Sequence, residues 1–404
     1  MRSAVDHIVR LCSALPDRRP GSQGNVAATH YVRSVLEQCG WATELQWFEC
    51  VDWTSNGGAL EVDGRAIEVV PSPYGLGVEV TAPLVGIATR EQLARHDRPG
   101  DILLVHGGLT TRPLTPAGYP FYSVPEDDEV LSLLVAARPV AVIAMTGVCP
   151  DVCGAVHPFP WIEDGTFTVP VAAVGREVSA QLLSLAGRIV ELSIRAARSP
   201  SRAANVVARR GPQEPRVTVI AHLDSKPGTP GALDNAAGVA ALLLAADELA
   251  DGPWRRSTGV ELLVVNGEDY YAASGEPRHL ASARLNEVAL AVNVDGLGLP
   301  DAPTAWSTYG CPDGLVALLR QEIGVLPGIV EGPPWFQSDH ALFAAQGRPA
   351  VAFTTSDLER ALRTVVHSSD DTPERVDMTK VVEAAEALTL VVRAATSRDR
   401  IAST

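Results

Sequence analysis

Apolar and polar positions change rhythm along the chain, and each change predicts a different kind of element. Near the start, Val5, Ile8, Val9, Cys12 and Leu15 fall near helical spacing, which predicts an amphipathic helix packed on a core. Residues 16–24 form a breaker-rich loop, 27–39 return to helical periodicity ending at Gly40, and 42–51 alternate in strand fashion. From Trp53 to about Arg198, short β-like runs (60–62, 67–70, 78–85, 102–105, 140–144, 169–174 and 189–194) stand among many glycines and prolines. Beyond residue 199, strong apolar runs at 217–221, 260–265 and 288–294 are separated by helical segments, the clearest at 235–249. A fourth run at 350–354 follows, and 381–395 closes the chain as a helix. Strands alternating with helices argue for an α/β fold, a mostly parallel mixed sheet covered by helices on both faces. The expected organisation is an α/β domain from residues 1–53 and 199–404, interrupted by an inserted β-rich domain at 54–198. There is no internal repeat and no low-complexity segment.

Composition narrows the classes. At 404 residues the chain is too long for one average domain and suits two or three. Hydrophobic residues at 46% and charged residues at 20% match ordinary globular usage, so general disorder is excluded. The balance of 33 Lys+Arg against 48 Asp+Glu gives a net charge of −15, the wrong sign for a protein that lives on phosphate contacts, so no nucleic-acid partner is expected. The uncharged apolar stretch 236–246 is far short of a membrane span of roughly 20 residues. Six cysteines (Cys12, Cys39, Cys50, Cys149, Cys153, Cys311) are sparse and predict free thiols or at most one bridge. Cys149 and Cys153 stand close together, but no second pair follows. After Met1-Arg2, Asp6, His7 and Arg10 interrupt the apolar positions, so no signal peptide is read and a cytoplasmic location is expected.

The candidate chemistry lies just past the apolar runs. His222-Leu223-Asp224-Ser225 follows the first, Gly231 to Asn235 leads into the helix, Asn266-Gly267-Glu268-Asp269 follows the second, and Asp295-Gly296 the third. In open α/β sheets the ligand crevice lies at the carboxyl ends of the strands, so acids placed there repeatedly suggest one site. Histidine and carboxylates without cysteine suit zinc or a similar divalent ion. Crowded carboxylates repel one another unless cations sit among them, and two metals sharing a carboxylate, roughly 3.5–4 Å apart, neutralise such a cluster. His367, in a polar loop after the fourth run, is the candidate second histidine, and Asp224 is placed to orient the His222 imidazole from behind. A lone acid past a strand is most often a helix cap, and Asp234 stands where it could cap the helix opening at Asn235. His7, His30, His96, His106, His157 and His279 fit no ligand pattern and read as structural or surface residues.

Taken in order, His222-Leu223-Asp224-Ser225, Asp234-Asn235-Ala236-Ala237-Gly238, Asn266-Gly267-Glu268-Asp269, Asn293-Val294-Asp295, Ser338-Asp339-His340 and His367 with Asp371-Thr372 resemble the co-catalytic dizinc aminopeptidases. Glutamate carboxypeptidase and glutaminyl cyclase are relatives of that family. The resemblance covers the α/β part, including Arg19-Pro20-Gly21-Ser22, and the insertion resembles a protease-associated domain. It implies the zinc exopeptidase fold and two divalent ions, zinc foremost, with cobalt or manganese able to occupy such sites. His222 and Asp295 would bind one ion, Asp269 and His367 the other, with Asp234 bridging. Glu268 would be the general base taking a proton from a metal-bridging water and passing it to the leaving amine. The substrate implied is a peptide with a free N-terminus. His340, Asp339 and Tyr270 are candidate substrate contacts, with His340 alternatively supporting its loop. Tyr271, Trp335 and Phe336 also flank the motifs, although aromatics at strand ends are more often core. The chain departs from the family's usual Glu-Glu at Glu268-Asp269, and the family places a cis peptide after the bridging aspartate, here Asp234–Asn235. Glutaminyl cyclase-like acyl transfer, carboxypeptidase action and a non-catalytic scaffold on the same fold are the alternatives.

Overall fold

The structure, a computed structural model, describes residues 3–119, 123–146, 160–212, 214–250, 258–270, 275–282 and 285–396; Cys149, Cys153, His157 and Tyr271 lie outside them. The N-terminal segment forms α1 (Ala4–Val9), a π-helical turn (Arg10–Ala14), α2 (Gln23–Gln38) and β1 (Ala42–Val62). Next come β2 (Arg65–Pro71), β3 (Val78–Ile87), α3 (Arg90–Ala94), β4 (Ile102–Val105), α4 (Pro125–Ala137), β5 (Ala141–Met145), β6 (Val171–Val174), α5 (Ser179–Ser184) and β7 (Ile189–Arg210). The remainder forms β8 (Arg216–His222), α6 (Ala237–Ala250), β9 (Gly259–Val265), α7 (Gly275–Ser282), β10 (Val288–Val294) and β11 (Thr304–Tyr309). It closes with α8 (Asp313–Ile323), β12 (Ile329–Glu331), α9 (His340–Ala345), β13 (Ala350–Thr355), α10 (Leu358–Thr364) and α11 (Met378–Thr396).

Two compact units result: Met1–Cys50 with Arg202–Thr404, and Val51–Ser201. The boundaries between them fall within the residue ranges of β1 and β7. In the first unit, β8 runs parallel to β9 and β10, and β10 parallel to β13. β7, from Val206 onward, is antiparallel to β9, and β11 is antiparallel to β13, so the sheet is mixed. β11 mixes Thr and Ser with Trp and Tyr, which hides its alternation in the sequence. Helix α8 lies outside the strong apolar runs, yet Leu315, Leu319 and Ile323 recur in it at i, i+4 and i+8.

Strand periodicity divides each central strand between two apolar layers. Val217, Val219 and Ala221 of β8 face a core with Val32, Leu36, Leu242, Leu388 and Val392, while Ile220 faces the opposite layer with Leu263, Ala291 and Phe343. Burial on both faces explains why these strands read as continuous apolar runs. Within the sheet, the fully buried Glu261 pairs with Arg209 at 2.8 Å and Arg216 at 3.2 Å. Among the described residues, Cys12, Cys39 and Cys311 are free thiols, and no helix is long and apolar enough to cross a membrane.

The second unit begins with a hairpin in which Asp63 and Gly64, both at positive φ (50° and 73°), join β1 to β2. Its middle is a parallel ladder, β3-β4-β5-β6. Parallel neighbours need crossovers, and α4 supplies one between β4 and β5. The β-rich pattern of the sequence leaves this helix out, although Pro125 at its first turn and Glu126, Asp127 and Asp128 beside it are ordinary start signals.

Candidate metal centre

Four functional segments leave the carboxyl edge of the central sheet. His222 is the last residue of β8, Glu268 and Asp269 lie just past β9, Asp295 follows β10 directly, and His367 lies in the loop after α10. Asp234 sits between β8 and α6 in non-helical backbone (φ −121°, ψ 90°), and its peptide to Asn235 is cis. Asp234 does not serve as the helix cap. The Asn235 carboxamide does, with Oδ1 accepting from the Gly238 N–H at 3.0 Å and Nδ2 donating to the Val294 carbonyl at 2.9 Å. This leaves both Asp234 oxygens for the site. Gly231, left-handed at φ 61°, opens that loop; a Cβ there would meet the Asp234 carbonyl at 2.5 Å and Arg18 Nη2 at 2.8 Å.

The side chains converge in two overlapping groups, His222–Asp234–Asp295 and Asp234–Asp269–His367. Asp234 Oδ1 lies 2.9 Å from His222 Nε2, and its Oδ2 lies 2.8 Å from His367 Nε2. His222 Nε2 is 3.2 Å from Asp295 Oδ1, and His367 Nε2 is 3.1 Å from Asp269 Oδ1. Glu268 borders the first group, its Oε2 3.9 Å from His222 Nε2. Burial alone would push both imidazoles down, but the surrounding carboxylates outweigh it. His222 is held well above its usual range by Asp295, Glu268 and Asp234, and His367 rises to about 10 through Asp269 and Asp234. Burial and the neighbouring acids raise Glu268 and Asp295, against the pull of His222. Asp234 moves the other way, because hydrogen bonds to both imidazoles overcome its burial. A nest of acids that keeps its histidines protonated is short of positive charge. Its donor set, imidazole nitrogen and carboxylate oxygen with Asp269 Oδ2 buried and without a hydrogen-bond partner, fits a pair of borderline divalent cations.

The other expected contacts fall elsewhere. Asp224 does not grip the His222 ring with its carboxylate, which lies 3.8 Å away; the Asp224 backbone carbonyl faces Nδ1 at 3.2 Å. The carboxylate instead accepts the N–H groups of Gly267 (2.8 Å) and Asp269 (3.0 Å), shaping the loop that presents Glu268. His340 is fully buried, with Nδ1 taking the Asn293 carboxamide proton at 3.2 Å and Nε2 donating to the Trp335 carbonyl at 2.8 Å. Both ring nitrogens are thereby used inside the protein, and burial pushes its pKa down to about 4. Asp339 is also buried, which lifts its carboxyl to about 7, and Tyr270 is buried as well. None of the three stands open to a substrate. Of the flanking aromatics, Phe336 is 57% exposed.

Several supporting residues escape sequence reasoning. Ser338 donates to Asp295 Oδ2 at 2.8 Å and accepts from Asn293 Nδ2 at 2.8 Å. Lys226, buried, donates to the Asp269 carbonyl at 2.9 Å. Arg18, buried, donates to the carbonyls of Leu11, Leu223, Pro230 and Gly231 at 2.7–3.0 Å, tying the N-terminal segment to the loops of His222 and Asp234. Nothing in the sequence separates it from Arg19, which pairs locally with Asp17.

Residues 205–392 match the sequence model described as peptidase family M28. The chain is 27% identical over 293 residues to "Probable lipoprotein aminopeptidase LpqL" of Mycobacterium tuberculosis, covering 70% of this chain and 55% of the relative. It thus spans about half the length of the curated relative it matches. Among solved structures, BSAP, a zinc aminopeptidase from Bacillus subtilis, superposes with a TM-score of 0.71 at 19% identity, covering 96% of this chain and 93% of that one. Glutaminyl cyclase of Porphyromonas gingivalis gives a TM-score of 0.51 at 14% identity, with 96% of each chain covered. At these identities the structural likenesses establish a shared mixed α/β fold. The match to the peptidase family M28 model covers residues 205–392, the stretch that carries the central strands β8, β9, β10 and β13.

Proposed function

We propose that this protein is a dizinc aminopeptidase that hydrolyses the N-terminal peptide bond of peptides, with Glu268 as general base. One observation carries the reading: a single carboxylate, Asp234, turns one oxygen to His222 and the other to His367, each histidine backed by a further acid. His222 and Asp295 would hold one ion, Asp269 and His367 the other, and Asp234 both. Two zinc ions, when bound, supply Lewis-acid polarisation of the scissile carbonyl and a water of lowered pKa; cobalt or manganese suits the same donors. Glu268 takes the proton of the attacking water and returns it to the leaving amine. The acids around it favour a substrate's free α-ammonium. Of the basic residues around the motifs (Lys226, Arg348, Arg360 and Arg363), three are engaged elsewhere: Lys226 on the Asp269 carbonyl, Arg360 on Asp357 and Arg363 on Glu359.

The test digests a peptide pool, half with blocked N-termini, with zinc and with chelator, and reads it by mass spectrometry. Chelator-sensitive loss of single N-terminal residues from unblocked peptides alone is expected. Ammonia loss from N-terminal glutamine would turn the reading to a cyclase, and C-terminal trimming to a carboxypeptidase. Glu268→Gln is expected to cut kcat by at least about 10²–10⁴ while leaving bound zinc unchanged; full activity in that variant would remove Glu268 from its role.

A further inference from the structure

The two groups of ligands are not held in the same way. His222 and Asp295 ride on the ends of adjacent strands, β8 and β10, whose pairing includes Asn293 with Ile220. Asp234 and His367 ride on loops, and one side chain joins those loops. Asp371, fully buried and four residues past His367, accepts the Leu233 N–H with Oδ1 at 2.7 Å and the Asp234 N–H with Oδ2 at 3.2 Å. Its backbone carbonyl takes the Ala232 N–H at 3.1 Å. Three consecutive amides ahead of α6 are thus satisfied by one residue, in the manner of an anion in a backbone nest. The far side is equally fixed. His367 has a left-handed backbone (φ 60°), Ser368 N–H bonds the Val365 carbonyl at 3.2 Å, and Asp371 N–H the Ser368 carbonyl at 3.2 Å.

We propose that Asp371 is a positioning residue that sets the separation between Asp234 and His367 and so governs the affinity of the second metal site, the one formed with Asp269. The proposal rests on the dizinc reading. The first site should be largely spared, because two of its three ligands are fixed by the strand ladder. In Asp371→Asn, an amide NH₂ replaces one acceptor and faces a backbone N–H, which loses a bond and leaves a buried donor unpaired.

Calorimetric zinc titration of the metal-free protein tests this. Wild type should take up two ions, and Asp371→Asn should weaken the second by about 10–100-fold with the first within about threefold. His367→Ala identifies the second site, and adding Asp371→Asn to it should cost no further zinc affinity. Should Asp371→Asn not fold, as judged by circular dichroism, Asp371→Glu keeps the charge and both oxygens on a longer arm and should show the same selective, smaller loss. Unchanged binding in Asp371→Asn, equal weakening of both sites, or a further loss in the double variant would overturn the assignment alone. Fewer than two ions in wild type would overturn the dizinc reading and this inference with it.

Discussion

At the residue scale, what a side chain does is settled by how many of its polar atoms the protein has already used. Asp234 keeps both oxygens for the two histidines because Asn235 performs the helix cap beside it. His340 keeps neither nitrogen, since Asn293 and the Trp335 carbonyl occupy both, and it is a neutral strut under the Ser338 loop. This has a pH consequence. The folded protein holds His340 at about 4 against an ordinary 6.5, so the unfolded chain binds this proton first as the pH falls. Its contribution is present above about 6.5 and is lost progressively toward pH 4, at most about 3 kcal/mol. Denaturant titrations of the metal-free protein at pH 7, 5.5 and 4.5 should therefore show a flatter profile for His340→Gln than for wild type; parallel profiles would exclude His340 as the source.

At the element scale, α6 approaches β10 so closely that one position admits no side chain. A Cβ on Gly238 would lie 2.1 Å from Asn235 Oδ1 and 2.6 Å from the Val294 carbonyl. The same Asn235 carboxamide, through Nδ2 donating to the Val294 carbonyl, joins the Asp234 loop to the strand that leads to Asp295. Gly238→Ala should destabilise the fold by about 1–3 kcal/mol through overpacking, and should weaken zinc binding because both ligands move. Chemical denaturation read beside a zinc titration checks both effects, and loss of stability with intact zinc affinity would separate the helix contact from the site. The sequence announced α6, α11 and the four central strands through long runs of one period. Elements whose pattern is broken by polar residues, such as β11, take their strand conformation from pairing with a distant neighbour, here β13.

Over the whole molecule, the charge is −15, and the acids Asp224, Asp234, Glu268, Asp269 and Asp295, with Asp339 and Asp371 beside them, are buried around the site. Cations that bind only the folded state should stabilise it strongly. At 100 times its Kd, a zinc ion contributes about 2.7 kcal/mol, so two ions should raise Tm by roughly 10 °C relative to protein in chelator. Thermal scans at graded zinc concentrations give the measurement, and a Tm indifferent to zinc would count against a metal centre. The amino-acid order alone established the mixed α/β character, because buried strands and amphipathic helices leave periodic traces, and it supplied the five side chains that cluster, because each stands directly after an apolar run or within a recognisable motif. It left open whether His340 meets substrate or supports its loop, and it carried no trace of Arg18 reaching four carbonyls, of Ser338 on Asp295 or of the Asp371 clamp. Those assignments depend on which segments meet, across separations as different as five residues for His340 and Trp335 and 205 for Arg18 and Leu223, and a polar side chain's partner is chosen by three-dimensional proximity rather than by sequence pattern.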